Sequence, residues 1–92
     1  MGNDKEKDEM MRQALYAALA KCQTKEDVEM LLADLCTFKE VDQMAQRLAA
    51  AKMLKAGKTY AEIIAETEIS SATLSRVSRC MQRGSGGYEK FV

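Results

Sequence analysis

The sequence predicts an all-α chain, and three observations carry that expectation. It is 92 residues long with no proline, no tryptophan and only 5% aromatic residues; Ala, Leu and Met dominate, which favours helix over sheet. Apolar residues recur at helical spacing, and no alternating segment is flanked by hairpin turns. Finally, Thr or Ser residues that can cap helices, and a glycine that can stop one, fall between the apolar runs. At this length the chain is expected to be a single domain with a limited core.

The first helix is expected from about Lys5 or Asp8 to Cys22, with Met11, Leu15, Ala18, Leu19 and Cys22 as its apolar stripe and the charged start, Met1 to Glu9, frayed. Thr24 caps a second helix, and the acids Glu26 and Asp27 suit its first turn. Val28, Leu31, Leu32 and Leu35 form its stripe. Thr37 caps a third helix, with Glu40 at the capping-box position. This helix is expected to be the longest, from about Phe38 to Ala56, with Gly57 as its stop. The run Leu48-Ala49-Ala50-Ala51 is small on nearly every side, so other helices can approach closely, and the helix is expected to be the central post of the fold.

Two short helices joined by a tight turn follow in TYAEIIAETEISSATLSRVSRC, from Thr59 to Cys80. Thr59 caps the first, with Glu62 completing a capping box. The turn is expected at Glu66 to Ile69, and Ser70 caps a second helix from Ser71 to about Gln82. Leu74, Val77 and Met81 give that helix an apolar stripe, while Ser71, Ala72 and Ser75 leave another side small and polar. Arg76, Arg79 and Arg83 add positive charge, with no acid between Ile69 and Gly84. This is the layout of a DNA-reading helix-turn-helix. Small leading side chains let a helix approach base edges in the major groove, and arginines reach phosphate. On this reading Ser71, Ala72 and Ser75 face bases, and Thr73, Arg79 and Arg83 contact the backbone. Leu74, Val77 and Ile63 hold the two helices together. Gly84 ends the last helix, and Gly84-Ser85-Gly86-Gly87-Tyr88 reads as a helix stop plus a flexible end, although Tyr88 and Phe91 are odd residues for a free tail.

Charge supports the nucleic-acid reading. The formal net charge is zero, but Met1–Gln46 holds six Lys/Arg against ten Asp/Glu, a net of −4, and Arg47–Val92 holds eight against four, a net of +4. A protein that meets phosphate needs a local positive face rather than a high overall pI. The expected partner is double-stranded DNA, bound in a salt-sensitive way. The other reading open at this stage is a helical protein–protein interaction module that keeps the helix-turn-helix fold without operator binding.

Other classes are excluded. Histidine is absent, and Cys22, Cys36 and Cys80 are far apart, so neither a metal site nor a disulfide framework is expected. With no glycine-rich phosphate loop and no identifiable nucleophile–base pair, no catalytic residue is expected and the chain is read as no enzyme. The charged start lacks the apolar run of a signal peptide, and Glu6 stands where a myristoylation signal wants Ser or Thr. No segment approaches the length of a membrane span. The expected location is cytoplasmic.

The first two helices have more apolar face than one slender long helix can cover. A second copy of the chain is the economical solution, and a homodimer also sets two recognition helices at a fixed spacing. The expected organisation is a single domain over residues 1–92, with dimerisation helices at 1–57, the helix-turn-helix at 59–83 and a Gly-rich tail at 84–92.

LCTFKEVDQMAQRLAAAKMLKAGKTY followed by EISSATLSRVSRC resembles the Trp repressor family, and RVSRC with the following GSGGY resembles its YerC/YecD-like branch. The resemblance runs from about Leu31 to Tyr88. It implies a Trp repressor-like intertwined helical homodimer with a helix-turn-helix reading head, acting as a transcriptional repressor. It also implies a ligand pocket at Thr37, Arg47 and Arg76, with Arg47 on the carboxylate of L-tryptophan and Arg76 stacked on the indole. The next residue is glycine in tryptophan-sensing members and Val77 here. A branched side chain there occupies indole space, so no L-tryptophan cofactor is expected.

Overall fold

The computed structural model describes residues 3–92, and every regular element among them is an α-helix. These are α1 (Asp4–Ala20), α2 (Lys25–Leu35), α3 (Phe38–Lys55), α4 (Tyr60–Thr67), α5 (Ser71–Arg83) and α6 (Gly87–Phe91). The chain divides into two compact units, one running through Phe38 and the other spanning Lys39–Val92. The long third helix therefore belongs, apart from its first residue, with the helix-turn-helix and not with the two helices before it.

In the first unit, α1 starts earlier than its charged sequence implied. Helix begins at Asp4, with Asp4 and Glu6 in the first turn where acids complement the exposed N–H groups. Arg12 bonds Glu9 at 2.9 Å one turn away, and Gln13 donates to the same carboxylate at 2.7 Å. So Asp4 to Glu9 are helical rather than frayed; Met1 and Gly2 lie outside the described residues. The helix stops at Ala20, and the N–H groups of Lys21 and Cys22 turn back to Ala18 and Leu19 at 3.1 Å in tighter three-residue bonds. Thr24 caps α2 as expected, accepting from the Asp27 N–H at 3.0 Å, while the Asp27 carboxylate accepts from the Gln23 N–H at 3.0 Å.

No residue of α1 or α2 is buried. Met11 and Leu15 on the α1 stripe and Val28 and Leu35 on the α2 stripe are all exposed, and so is Phe38, at 90%. Ala18, Leu19 and Cys22 of the first stripe and Leu31 and Leu32 of the second are half-buried, so each apolar face is partly covered and partly open to solvent.

The second unit carries the core. Ala50, Ala51, Ile63, Ile69, Leu74 and Val77 are each no more than 1% exposed, and Met53, Leu54, Ile64, Met81, Tyr88 and Val92 pack around them. Ala50 and Ala51 of α3 share one buried cluster with Ile63 of α4 and Leu74 and Val77 of α5. The covered side of α3 is narrower than its apolar pattern implied, however. Met44 and Leu48, apolar and four residues apart and so on one side of the helix, remain exposed, Leu48 at 46%. The helix ends at Gly57 with φ 84°. The Lys58 N–H reaches Met53 O and the Gly57 N–H reaches Leu54 O, both at 3.0 Å, the paired bonds of a Schellman stop.

The tail is where the fold departs most from the sequence reading. Gly87–Phe91 forms α6, and the Tyr88 side chain packs against the core. Lys55 Nζ donates to Glu89 O at 3.3 Å. The Gly-rich run therefore links two helices, and its last residues, Gly87 and Tyr88, begin the second of them. Gly84 itself has an ordinary φ of −82°, and glycine is needed there for space. A Cβ at this position would lie 2.3 Å from Cys80 O.

Candidate nucleic-acid interface

The helix-turn-helix is built from local bonds outward. Thr59 and Glu62 form the complete capping box of α4. The Thr59 hydroxyl accepts from the Glu62 N–H at 3.2 Å, and the Glu62 carboxylate accepts from the Thr59 N–H at 2.9 Å and from its hydroxyl at 3.0 Å. These bonds, the backbone one foremost, hold the Glu62 carboxyl below its ordinary pKa. α4 is two residues longer than expected at its end, running through Thr67, and the turn is Glu68 to Ser70. Three bonds shape it. The Thr67 hydroxyl donates to Ile63 O at 2.7 Å and accepts from the Ile69 N–H at 3.2 Å. Gln46 of α3 donates to Thr67 O at 2.8 Å. Glu68 takes the left-handed conformation, φ 61°, which reverses the chain so that Ile69 enters the core at 1% exposure. Ser70 then caps α5 by accepting from the Thr73 N–H at 3.1 Å.

α5 has two opposed sides. Leu74 and Val77 are buried and Met81 packs beside them, so the back of the helix is fixed to α3 and α4. Ser71, Ala72, Ser75, Arg76, Arg79 and Arg83 are exposed on the other side. Thr73 lies at the edge between them, half-buried, and its hydroxyl accepts from Ser70 at 2.9 Å. Its own proton remains to offer an acceptor outside the protein. The expected base-facing and phosphate-facing residues thus fall on one solvent-exposed surface with one shoulder at Thr73. Within it, Arg76, Arg79 and Arg83 line a shared open concavity of about 360 Å³, together with Cys80 and Gly84.

The residues assigned to a ligand pocket by resemblance lie on several elements. Thr37 belongs to the first unit and is exposed; Arg47 is half-buried on α3. Arg76 is exposed beside the other two arginines. Val77 is 1% exposed, a core side chain of the reading helix. The sequence reading missed the arginine concavity because it treated the three side chains by separate roles; their spacing of three and four residues, which puts side chains on one helix face, was the available signal.

The comparisons agree with this architecture. Residues 11–92 match the Trp repressor protein family. The uncharacterised protein YerC of Bacillus subtilis (strain 168) is 41% identical over 75 residues, covering 82% of this chain and 72% of that protein. A crystal structure of a candidate Trp repressor from Staphylococcus aureus superposes with a TM-score of 0.83 at 37% identity, covering 98% of this chain and 89% of the other. A TrpR-like protein from Eubacterium eligens ATCC 27750 gives a TM-score of 0.81 at 33% identity, with coverage of 85% and 80%. With a helix-turn-helix braced by a third long helix, and a family match that spans nearly all of its length, the chain belongs to the Trp repressor family, in the TrpR-like branch that includes YerC.

Proposed function

We propose that this member of a regulatory, non-enzymatic family is a sequence-specific DNA-binding transcriptional repressor that works as a homodimer in the cytoplasm. The observation that carries the reading is the exposed side of α5. Small residues lead it, three arginines follow, no acid interrupts it, and a buried back holds it rigid. A helix of this kind can enter the major groove by its N-terminal end while its guanidinium groups meet phosphate. In this reading Ser71, Ala72 and Ser75 face bases, and Thr73, Arg79 and Arg83 contact the backbone.

The open parts of the apolar faces of α1 and α2 support the dimer. Large apolar side chains left exposed along both helices suit an interaction site, and a second copy offers the same ones in a symmetric arrangement. The expected species in sedimentation has twice the 10.2 kDa chain mass. No helix among the described residues is long and apolar enough to cross a membrane. No tryptophan co-repressor is part of the proposal, because Val77 replaces the glycine of tryptophan-sensing relatives with a side chain committed to the core.

Selection of bound fragments from a random DNA pool, with and without tryptophan, tests the reading. A palindromic motif recovered equally under both conditions is the expected result. Absence of any retarded species at low salt would instead favour a protein-docking role for the helix-turn-helix.

A further inference from the structure

We propose that Gln46 of α3 is a positioning residue for the reading helix, setting the tilt at which the leading end of α5 meets base edges. The proposal rests on the DNA-binding reading above and names a residue outside the helix-turn-helix on which base recognition depends. Gln46 donates its side-chain amide to the Thr67 carbonyl at 2.8 Å, across 21 residues of chain. Both residues are half-buried. The side-chain bonds that Thr59, Glu62, Thr67, Ser70 and Thr73 make within the helix-turn-helix each reach four residues or fewer. They shape the turn without tying it to α3. Thr67 is the node between the two sets. Its carbonyl takes the Gln46 bond, while its hydroxyl donates to Ile63 O at 2.7 Å and accepts from the Ile69 N–H at 3.2 Å. Glu68, Ile69 and Ser70 alone separate it from Ser71, where α5 begins. Glu68 is set at φ 61°, Ile69 is 1% exposed and Ser70 is bonded as the N-cap. These residues have little freedom, so where α3 holds Thr67 decides where α5 starts.

Apolar packing by itself does not set that tilt. The buried side chains of α5 are Leu74 and Val77, and burial of apolar surface is non-directional. An amide-to-carbonyl bond, by contrast, weakens steeply when misaligned. Ser71 precedes Val77 by six residues, about 9 Å along the axis, so a tilt of about 10° about Val77 moves it by about 1.5 Å. Base contacts need placement to about 0.5 Å. Arginine side chains have the rotamer freedom to follow a phosphate over such a distance. Loss of the Gln46 bond therefore harms base recognition and spares the sequence-independent hold on phosphate.

The test separates specific from non-specific affinity. Wild type and the Gln46→Ala, Gln46→Glu and Gln46→Lys variants are titrated across a salt series against two DNA fragments of equal length, one recovered from the random pool and one unrelated to it. Folding is checked by circular dichroism at the temperature of the titrations. Alanine removes the donor, an ionised glutamate keeps the shape but cannot donate, and lysine restores a donor. Gln46→Ala and Gln46→Glu are expected to lower the ratio of the two affinities about tenfold, the scale of one lost base contact, with the slope of log K against log salt unchanged. Gln46→Lys is expected to recover most of the wild-type ratio, in which its added charge cancels because it acts on both fragments alike. A ratio left unchanged by Gln46→Ala and Gln46→Glu, or affinities that fall by one factor for both fragments, would show that the bond positions nothing. So would a Gln46→Lys ratio as low as that of Gln46→Ala, and a lowered salt slope would make Gln46 a support of the phosphate contacts instead. Failure of wild type to bind any fragment at low salt would bring down the DNA-binding reading itself, and this assignment with it.

Discussion

Gln46 donates its side-chain amide to the Thr67 carbonyl at 2.8 Å, and that bond ties α3 to the last residue of α4 where the chain turns towards the reading helix. The Thr67 carbonyl belongs to the final turn of α4, where no intrahelical partner is available. Gln46→Ala leaves a partly buried carbonyl without this partner. It is expected to lower unfolding free energy by about 1 kcal/mol and to speed amide exchange at Ile69. Unchanged urea midpoints and exchange rates would show that the bond does not brace the turn.

Glu68 is the described residue other than glycine with positive φ. A side chain in the left-handed region costs about 1 kcal/mol relative to glycine. Glu68→Gly is therefore expected to raise the thermal midpoint, with a gain of about 1 kcal/mol. It also removes an acid just ahead of α5, so affinity for DNA is expected to rise slightly at low salt. A lower midpoint would mean that the Glu68 side chain makes a contribution larger than its strain.

Gly84 and Gly57 separate two different needs for glycine. A methyl group at Gly84 would meet Cys80 O at 2.3 Å, whereas one at Gly57 meets nothing within 4 Å and faces only the strain of φ 84°. Gly84→Ala is expected to cost about 2 kcal/mol, in the range of overpacking, and to shift α6, seen as a change in Tyr88 fluorescence or its NMR signals. Gly57→Ala is expected to cost about 1 kcal/mol and to leave Tyr88 undisturbed. Equal costs, or an unshifted Tyr88 in Gly84→Ala, would contradict this division.

The Glu62 carboxyl titrates below its ordinary value because the Thr59 backbone N–H, and then the Thr59 hydroxyl, bond its anionic form. Folding therefore favours the charged form. The contribution is fully present above the ordinary carboxylate pKa and is lost as pH falls through the depressed folded value. An NMR titration of the folded protein is expected to place the Glu62 midpoint below that of an unstructured Glu. Thr59→Ala removes the hydroxyl but not the backbone donor, so it is expected to move the midpoint only part of the way back. A midpoint at or above the ordinary value would refute the capping-box account.

The helix ends were determined by the sequence itself. Thr24, Thr59 and Ser70 each cap the helix they precede, and Gly57 stops α3 with positive φ. Capping and left-handed stops involve only three to five neighbouring residues, so the sequence contains the whole interaction. The exposed arginines of α5 were legible for the same reason, since helical spacing places them relative to the buried Leu74 and Val77. What only the tertiary structure decided is which apolar side is covered. Periodicity put Met44 and Leu48 on the same footing as any core residue of α3, yet Ala50 and Ala51 are buried and Leu48 is not. The Gly-rich tail became a helix because Tyr88 found the core, and Glu68 adopted a strained conformation because Ile69 is held inside. Those outcomes depend on contacts between residues far apart in the chain, where burial of a distant partner outweighs local preference.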